Sequence, residues 1–157
     1  MGRLLRFGRV LVVNDPPDDR VGEEALSVSA RIQFVGAQGH HLAIDGRWSK
    51  TAQAPDRSFY SGDLNVPIGI PANSRAEALD VVVQDPIDGA WFAFNDYSGN
   101  STDARHEPHA LPDERYKVVV TIRGTNTPRL TMGYELSRTK DGSIRLLRED
   151  LVELYED

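Results

Sequence analysis

Oxygen and imidazole side chains are densest in one polar loop, residues 95–109. A hard cation such as calcium binds carboxylate and carbonyl oxygens that converge from loops. The residues spaced for such a site are Asp96, Asn100 and Asp103, and a second loop could supply Asp15, Asp18 and Asp19. The spacing is not that of an EF-hand, and Asp, Asn, Ser and Gly also build ordinary turns. We therefore interpret the segment as a surface loop and keep calcium binding as the alternative.

Two imidazoles in the same loop, His106 and His109, stand three residues apart beside a carboxylate. On a helix such a pair could begin a zinc site. Pro108 disfavours that helix, and the spacing of zinc proteases is absent. A third ligand would have to come from an acid or from His40 or His41, which we expect to be exposed at a hairpin tip. We interpret the loop histidines as solvated.

Motifs of catalysis are missing from the sequence. It contains no nucleophile elbow, no P-loop and no dinucleotide-binding glycine pattern. It also has no cysteine, which excludes disulfides, thiolate metal sites and cysteine nucleophiles. We expect no enzyme, no catalytic residue and no cofactor, with calcium as the one alternative.

The large aromatic residues could stack against a sugar or fill a core. They are Trp48, Trp91, Phe92 and Phe94. Large aromatic side chains of a domain this size mostly fill its core. We assign Trp48 to the core, and Trp91 as well, although its position in the strand alternation opposes that of Phe92 and Phe94.

Length and charge restrict the class of protein. A chain of 157 residues with 39% hydrophobic and 27% charged residues is typical of one soluble globular domain. The net charge of -6 argues against nucleic acid as a partner. No segment approaches the roughly 20 apolar residues of a membrane span, and the apolar run 10–13 is too short for a signal peptide. We expect a cytoplasmic protein that does not bind membranes.

Period-two alternation of apolar and polar residues recurs along the chain. The strongest strand predictions cover 26–34 and 116–122, and further strands are expected at 4–13, 42–48, 64–70, 79–83, 90–94 and 130–136. Segments 26–34 and 42–48 should form a hairpin, with Leu26 facing inward. Pro67 and Pro71 place their strand at a sheet edge. We predict an all-β, antiparallel two-sheet sandwich of about seven or eight strands.

A turn runs directly into the best of these strands, with Leu111, Pro112, Asp113, Glu114, Arg115 and Tyr116 in succession. It resembles the Leu-x-Pro-Gly-x-Tyr corner of immunoglobulin-like and fibronectin-like sandwiches, although Pro112 falls one place early and Glu114 replaces Gly. Trp48 similarly resembles the core Trp of the third strand, without the cysteine pair. The resemblance spans residues 26–138 and implies a sandwich whose Tyr116 is buried, its hydroxyl bonded to backbone in the 109–113 turn.

The C-terminal segment follows another period. Ile144, Leu147, Leu151 and Leu154 recur at helical spacing, which predicts a short amphipathic helix over 145–155. We divide the chain into a sandwich domain, 1–143, and an acidic amphipathic segment, 144–157. A helix this short needs a surface to cover, so we expect it to dock on a partner, on a second copy or on its own sandwich.

These features favour a non-catalytic protein-interaction module. Its partner would be another protein or a second copy, bound through loops, an edge strand or the charged ends; a small-molecule ligand is left open. One alternative is a calcium-dependent binder of a ligand or a membrane surface. The other is a structural subunit of a virus-like or secreted assembly.

If the 95–109 segment is only a loop, calcium and chelators should not change the melting temperature. A cation that binds only the folded state must stabilise it by mass action. Differential scanning fluorimetry with and without millimolar calcium tests this. A rise of several degrees that Asp103→Asn abolishes would instead support the cation site.

Overall fold

The computed structural model describes residues 5–16, 22–50, 66–72, 75–95 and 106–149. Over these ranges the chain forms ten β-strands and a 3₁₀ turn at Glu107–His109, with no α-helix. The strands make two antiparallel sheets, of four and six strands, so the predicted all-β two-sheet architecture is confirmed, with more strands than expected. They are β1 (Arg6–Val12), β2 (Ala25–Gly36), β3 (His41–Asp45), β4 (Arg47–Trp48), β5 (Ile68–Ile70), β6 (Glu77–Gln84), β7 (Trp91–Ala93), β8 (Tyr116–Arg123), β9 (Leu130–Arg138) and β10 (Ile144–Arg148).

The larger sheet has the order β10-β9-β8-β2-β3, and β5 pairs with the start of β2. Alternation sets which face of β2 is buried: Val28, Ala30, Ile32 and Phe34 point into the core. β2 and β3 form the predicted hairpin as far as Asp45. The prediction is wrong for residues 47–48, which pair with β6 instead. β5 pairs only with β2 among the described strands, the edge position that its flanking prolines require.

The smaller sheet has the order β1-β6-β4, with β7 also paired to β6. The chain passes from the larger sheet to the smaller one at Gly46, between β3 and β4. A Cβ atom on Gly46 would lie 2.9 Å from Leu79 Cδ1 and 3.2 Å from Ala30 Cβ. The crossing therefore needs a residue without a side chain.

The two sheets enclose one main core in which the largest side chains are Trp48, Trp91 and Tyr116. Trp48 and Trp91 are 1% and 2% exposed, so neither forms a sugar-stacking platform, and the core interpretation is confirmed. Trp48 lies on β4, the fourth strand, rather than the third as the resemblance implied. Its indole N–H donates to Val28 O across the core at 3.0 Å.

Phe92 on β7 and Phe94 just after it are buried on the side opposite Trp91, as their parity predicts. They form a second apolar cluster with Val83, against which Leu5 packs. Phe7 meets Phe94 edge to face, with ring centroids 5.1 Å apart. The smaller sheet is thus covered by apolar side chains at one end of its outer face.

Leu26 is 46% exposed, so the prediction that it faces inward is wrong. The register of β2 with β5 shifts between Ala25 and Val28, and Ser27 has a positive φ of 48°. This bulge inserts an extra residue, so the residues before it that face the core are the opposite set from those that simple alternation predicts. Ala25 consequently takes the buried position that simple alternation assigned to Leu26.

The helix predicted over 145–155 is wrong where the structure describes it, because Ile144–Arg148 is strand β10. β10 pairs antiparallel with β9 along its whole length. Gly142, with a φ of 82°, turns the chain, and Thr139 and Ser143 close the turn through a 2.9 Å backbone hydrogen bond. A hairpin partner next in sequence outweighs the weak helical period of so short a segment. β10 therefore extends the larger sheet, while Leu151 and Leu154 lie outside the described residues.

The strand and helix interpretations of this segment differ in which leucine is packed. Leu146 packs against the core, whereas Leu147 is 49% exposed. We expect Leu146→Ala to lower the free energy of unfolding by about 1–2 kcal/mol and Leu147→Ala by less than about 0.5 kcal/mol. Urea denaturation of both variants measures the difference. A larger loss at Leu147 would favour the helical stripe.

Candidate functional site

Tyr116 forms the corner that the sequence predicts. Its side chain is 1% exposed, and its hydroxyl oxygen accepts a 2.9 Å hydrogen bond from the backbone N–H of Asp113. The ring lies against Trp91 and meets Phe34 edge to face. Burial raises the pKa of the Tyr116 hydroxyl to about 12. The phenol is therefore a neutral structural group and not a base.

Asp113 extends this corner to the tip of the β2–β3 hairpin. Its Oδ2 accepts hydrogen bonds from the backbone N–H groups of Gln38, at 2.9 Å, and His40, at 3.2 Å. In return, Gln38 Oε1 accepts from the backbone N–H of Glu114 at 3.2 Å. We call the four residues Gln38, His40, Asp113 and Tyr116 the hairpin clamp. It fastens the tip of one hairpin to the start of β8.

His40 is half-buried, so the expectation that it is exposed is wrong, whereas His41 is exposed as expected. His40 Nδ1 lies 3.1 Å from the Tyr116 hydroxyl, and the two rings meet edge to face at 5.9 Å. Because the hydroxyl oxygen already accepts from Asp113, its proton is available to Nδ1. This contact makes His40 a member of the clamp.

The clamp holds β3 in place at the margin of the larger sheet. Hydrogen bonds from Gly36 N to His40 O, 2.7 Å, and from Gly46 N to Ala30 O, 2.8 Å, close the two ends of its ladder with β2. Backbone groups alternate in direction along an antiparallel strand. Those of residues 42 and 44 therefore face β2, and those of residues 41, 43 and 45 face away from it.

We call His41, Ala43 and Asp45 the β3 edge. All three residues are exposed, and no other described strand pairs with β3 on that side. Arg31 Nη1 donates to the Asp45 carboxylate at 3.0 Å. Asn95 Nδ2 donates to the carbonyl of Asp45 at 3.0 Å and covers one end of the edge.

A second polar cluster surrounds Asp80, which is 1% exposed on β6. Its two carboxylate oxygens accept from Arg9 Nε at 2.7 Å, Arg47 Nη1 at 2.8 Å and Ser49 Oγ at 2.6 Å. The three donors come from β1, from β4 and from the residue after β4. Asp80 therefore ties three strands of the smaller sheet together, and its oxygens are already engaged by protein donors.

A cleft of about 520 Å³ opens between the sheets at the end of the sandwich remote from the hairpin clamp. Its apolar floor includes Val12, Val28, Ile70 and Ile122. The side-chain amides on its rim form hydrogen bonds with the backbone. Asn14 Nδ2 donates to Ile70 O at 2.9 Å, and Asn126 Oδ1 accepts from Leu26 N at 2.8 Å. Among the described residues, the cleft therefore presents an apolar floor and two rim amides, on Asn14 and Asn126, that bond to the fold.

The structure brings few of the predicted metal candidates together. Asp96, Asn100 and Asp103 lie outside the described residues, as do Asp18 and Asp19, while Asp15 lies at the rim of the cleft. The rings of His106 and His109 meet edge to face at 4.5 Å, and His109 is only 9% exposed. His109 is therefore packed and not solvated, because the 3₁₀ turn Glu107–His109 folds it inward.

Within the described ranges, no group of three His, Cys, Asp or Glu side chains could hold a metal ion. In the same ranges, no helix is long and apolar enough to cross a membrane. Comparisons with protein families, curated proteins and solved structures found no match.

Removing the Tyr116 hydroxyl tests the clamp. Tyr116→Phe should lower the free energy of unfolding by about 1 kcal/mol, because the N–H of Asp113 loses its acceptor. Urea denaturation at neutral pH measures this cost, and Tyr134→Phe serves as the matched control. A loss no larger than that of the control would contradict the clamp.

The same variant has a pH signature. The pKa of Tyr116 is about 12 in the folded protein against an ordinary value of 10.0. The unfolded chain therefore releases this proton first, and the wild-type protein loses stability as the pH rises from about 10 towards about 12. Tyr116→Phe lacks that loss, so the stability difference between the two proteins should shrink in this window.

Proposed function

We propose that this chain is an immunoglobulin-like sandwich that acts as a non-catalytic protein-interaction module. The partner contributes a β-strand that pairs with the β3 edge. The proposal depends above all on one observation, the row of outward-facing backbone groups on His41, Ala43 and Asp45.

The strand order supports the immunoglobulin-like assignment. In that fold, strands B, E and D are neighbours in one sheet, and G, F, C and C′ are neighbours in the other. The order β1-β6-β4 corresponds to B-E-D, and β9-β8-β2-β3 corresponds to G-F-C-C′. The corner residue Tyr116 begins β8, which corresponds to strand F, where the fold carries its tyrosine. β5, β7 and β10 are additions, and Trp48 departs from the pattern because it lies on β4 and not on β2.

The β3 edge has the properties of a strand-addition site. An edge strand presents unpaired N–H and C=O groups, and proteins that avoid pairing protect such edges with proline, lysine or a bulge. β3 has none of these between His41 and Asp45. A partner strand gains main-chain hydrogen bonds there and contacts the alternating side chains.

Three other edge strands, β5, β1 and β10, are protected. β5 is flanked by Pro67 and Pro71. β1 and β10 approach each other, and Arg6 Nη1 donates to Ser143 Oγ at 2.7 Å across that margin. Of these four edges, β3 is the one best suited to a partner.

The polar clusters support a binding role and not a catalytic one. Asp113 and Tyr116 bond to backbone and to each other, and Asp80 is engaged by three donors. A general base or nucleophile needs a lone pair directed at a substrate. The oxygens of Asp80, Tyr116 and Asp113 Oδ2 instead accept hydrogen bonds from the fold.

Proline at position 43 tests strand addition. Ala43→Pro removes an N–H that points away from β2, so the protein should stay folded with a melting temperature within a few degrees of wild type. Ala43→Ser retains the N–H and is the matched control. We expect partners captured from extract of the native source, including the chain itself, to bind wild type and Ala43→Ser but not Ala43→Pro, as measured by quantitative mass spectrometry. Identical bound sets for all three proteins would overturn the proposal.

A further inference from the structure

We propose that a second copy of this chain is a partner of the β3 edge, and that the two copies join their larger sheets through an antiparallel β3–β3 pair with its two-fold axis at Ala43. This inference rests on the proposed function, since it names the strand that pairs there. It arises from the sequence of β3, whose residues are complementary to those of a second β3 strand that runs antiparallel to it.

Reversal about Ala43 matches each residue of β3 with a suitable one. Ala43 stands opposite Ala43 of the second copy, His41 opposite Asp45, and Leu42 opposite Ile44. The imidazole thus faces a carboxylate on the exposed face, twice by symmetry, and the apolar residues meet on the core face. An imidazole placed directly across a strand pair from a carboxylate can donate a hydrogen bond to it, whereas like charges in that position are destabilising.

Other antiparallel registers are poorer. Centring the pair on Asp45 sets two carboxylates against each other, and centring it on His41 sets two imidazoles against each other. Centring it on Leu42 or Ile44 removes the match between His41 and Asp45. Only the register about Ala43 pairs the strand along its whole length.

The backbone geometry suits the same register. Residues 41, 43 and 45 all direct their N–H and C=O groups outward, so opposed residues form hydrogen-bonded pairs. Two bonds join the Ala43 residues, and two more run from the Asp45 N–H groups to the His41 carbonyls, giving about four. None of these uses the Asp45 carbonyl that Asn95 covers.

The Asp45 carboxylate is oriented by a neighbouring side chain and remains accessible to an imidazole. Arg31 lies on the same exposed face, donates to its carboxylate at 3.0 Å and leaves 66% of the Asp45 side chain exposed. His41 of the second copy therefore meets a carboxylate oriented by a guanidinium, and its imidazole donates whether neutral or charged. A five-residue strand pair buries little surface, so the association is weak and depends on concentration.

Sedimentation velocity of the full chain, from about 1 µM to about 1 mM, tests the dimer. The wild-type protein should pass from monomer to dimer over this range, and Ala43→Pro should stay monomeric. His41→Glu sets two carboxylates against each other at both ends of the pair and should weaken the dimer about tenfold or more. The double variant His41→Glu/Asp45→Lys restores opposite charges and should restore dimerisation.

Ser29→Glu is the matched control, because Ser29 is exposed on the larger sheet and pairs with Arg123, beyond the end of β3. It adds the same charge and should leave the dimer unchanged. A wild-type protein that stays monomeric up to about 1 mM overturns the inference. So does a dimer that Ala43→Pro leaves intact.

These results separate the inference from the proposed function. A monomeric protein that still captures a different partner in an Ala43-dependent manner overturns self-pairing and keeps strand addition. A protein that neither dimerises nor captures a partner through this edge overturns both.

Discussion

The hydrogen bond between the Tyr116 hydroxyl and the Asp113 backbone is the constraint on which the positions of the β2–β3 hairpin tip and of the β3 edge depend. It fixes the turn before β8, and this places the Asp113 carboxylate over Gly36 and the hairpin tip. The carboxylate then satisfies two backbone donors, on Gln38 and His40. β3 follows directly from that tip, so a tyrosine in one half of the chain sets the position of an edge strand in the other.

Alternation of apolar residues predicts most of the fold because burial of one sheet face is the dominant local signal. It fails where a backbone irregularity or a partner strand decides. Leu26 is exposed because the bulge at Ser27 shifts parity, and a positive φ at serine leaves no trace in hydrophobic pattern. The spacing of Leu147 is typical of an apolar stripe on a helix. The turn at Gly142 instead pairs β10 with β9. Asp141-Gly142 was a sequence signal for that hairpin.

The candidate site was harder to predict from the sequence than the fold was. Tyr116 is predictable because the corner is local, with donor and acceptor three residues apart. Asp113 and Asp80 could not be assigned partners, since their donors are distant in the sequence. The exposed edge of β3 depends on strand order, which alternation does not specify. His41 and Asp45 gain significance only once β3 is placed at the end of the described strand order.

The contacts of the hairpin clamp also depend on the order in which the chain is synthesised. Gln38 and Asp113 are separated by 75 residues, so the contact between them is strongly non-local. During synthesis, β2 and β3 leave the ribosome long before Tyr116 exists to anchor their tip. The clamp can therefore form only after residues 113–116 have been made, so a nascent chain first carries β3 without it.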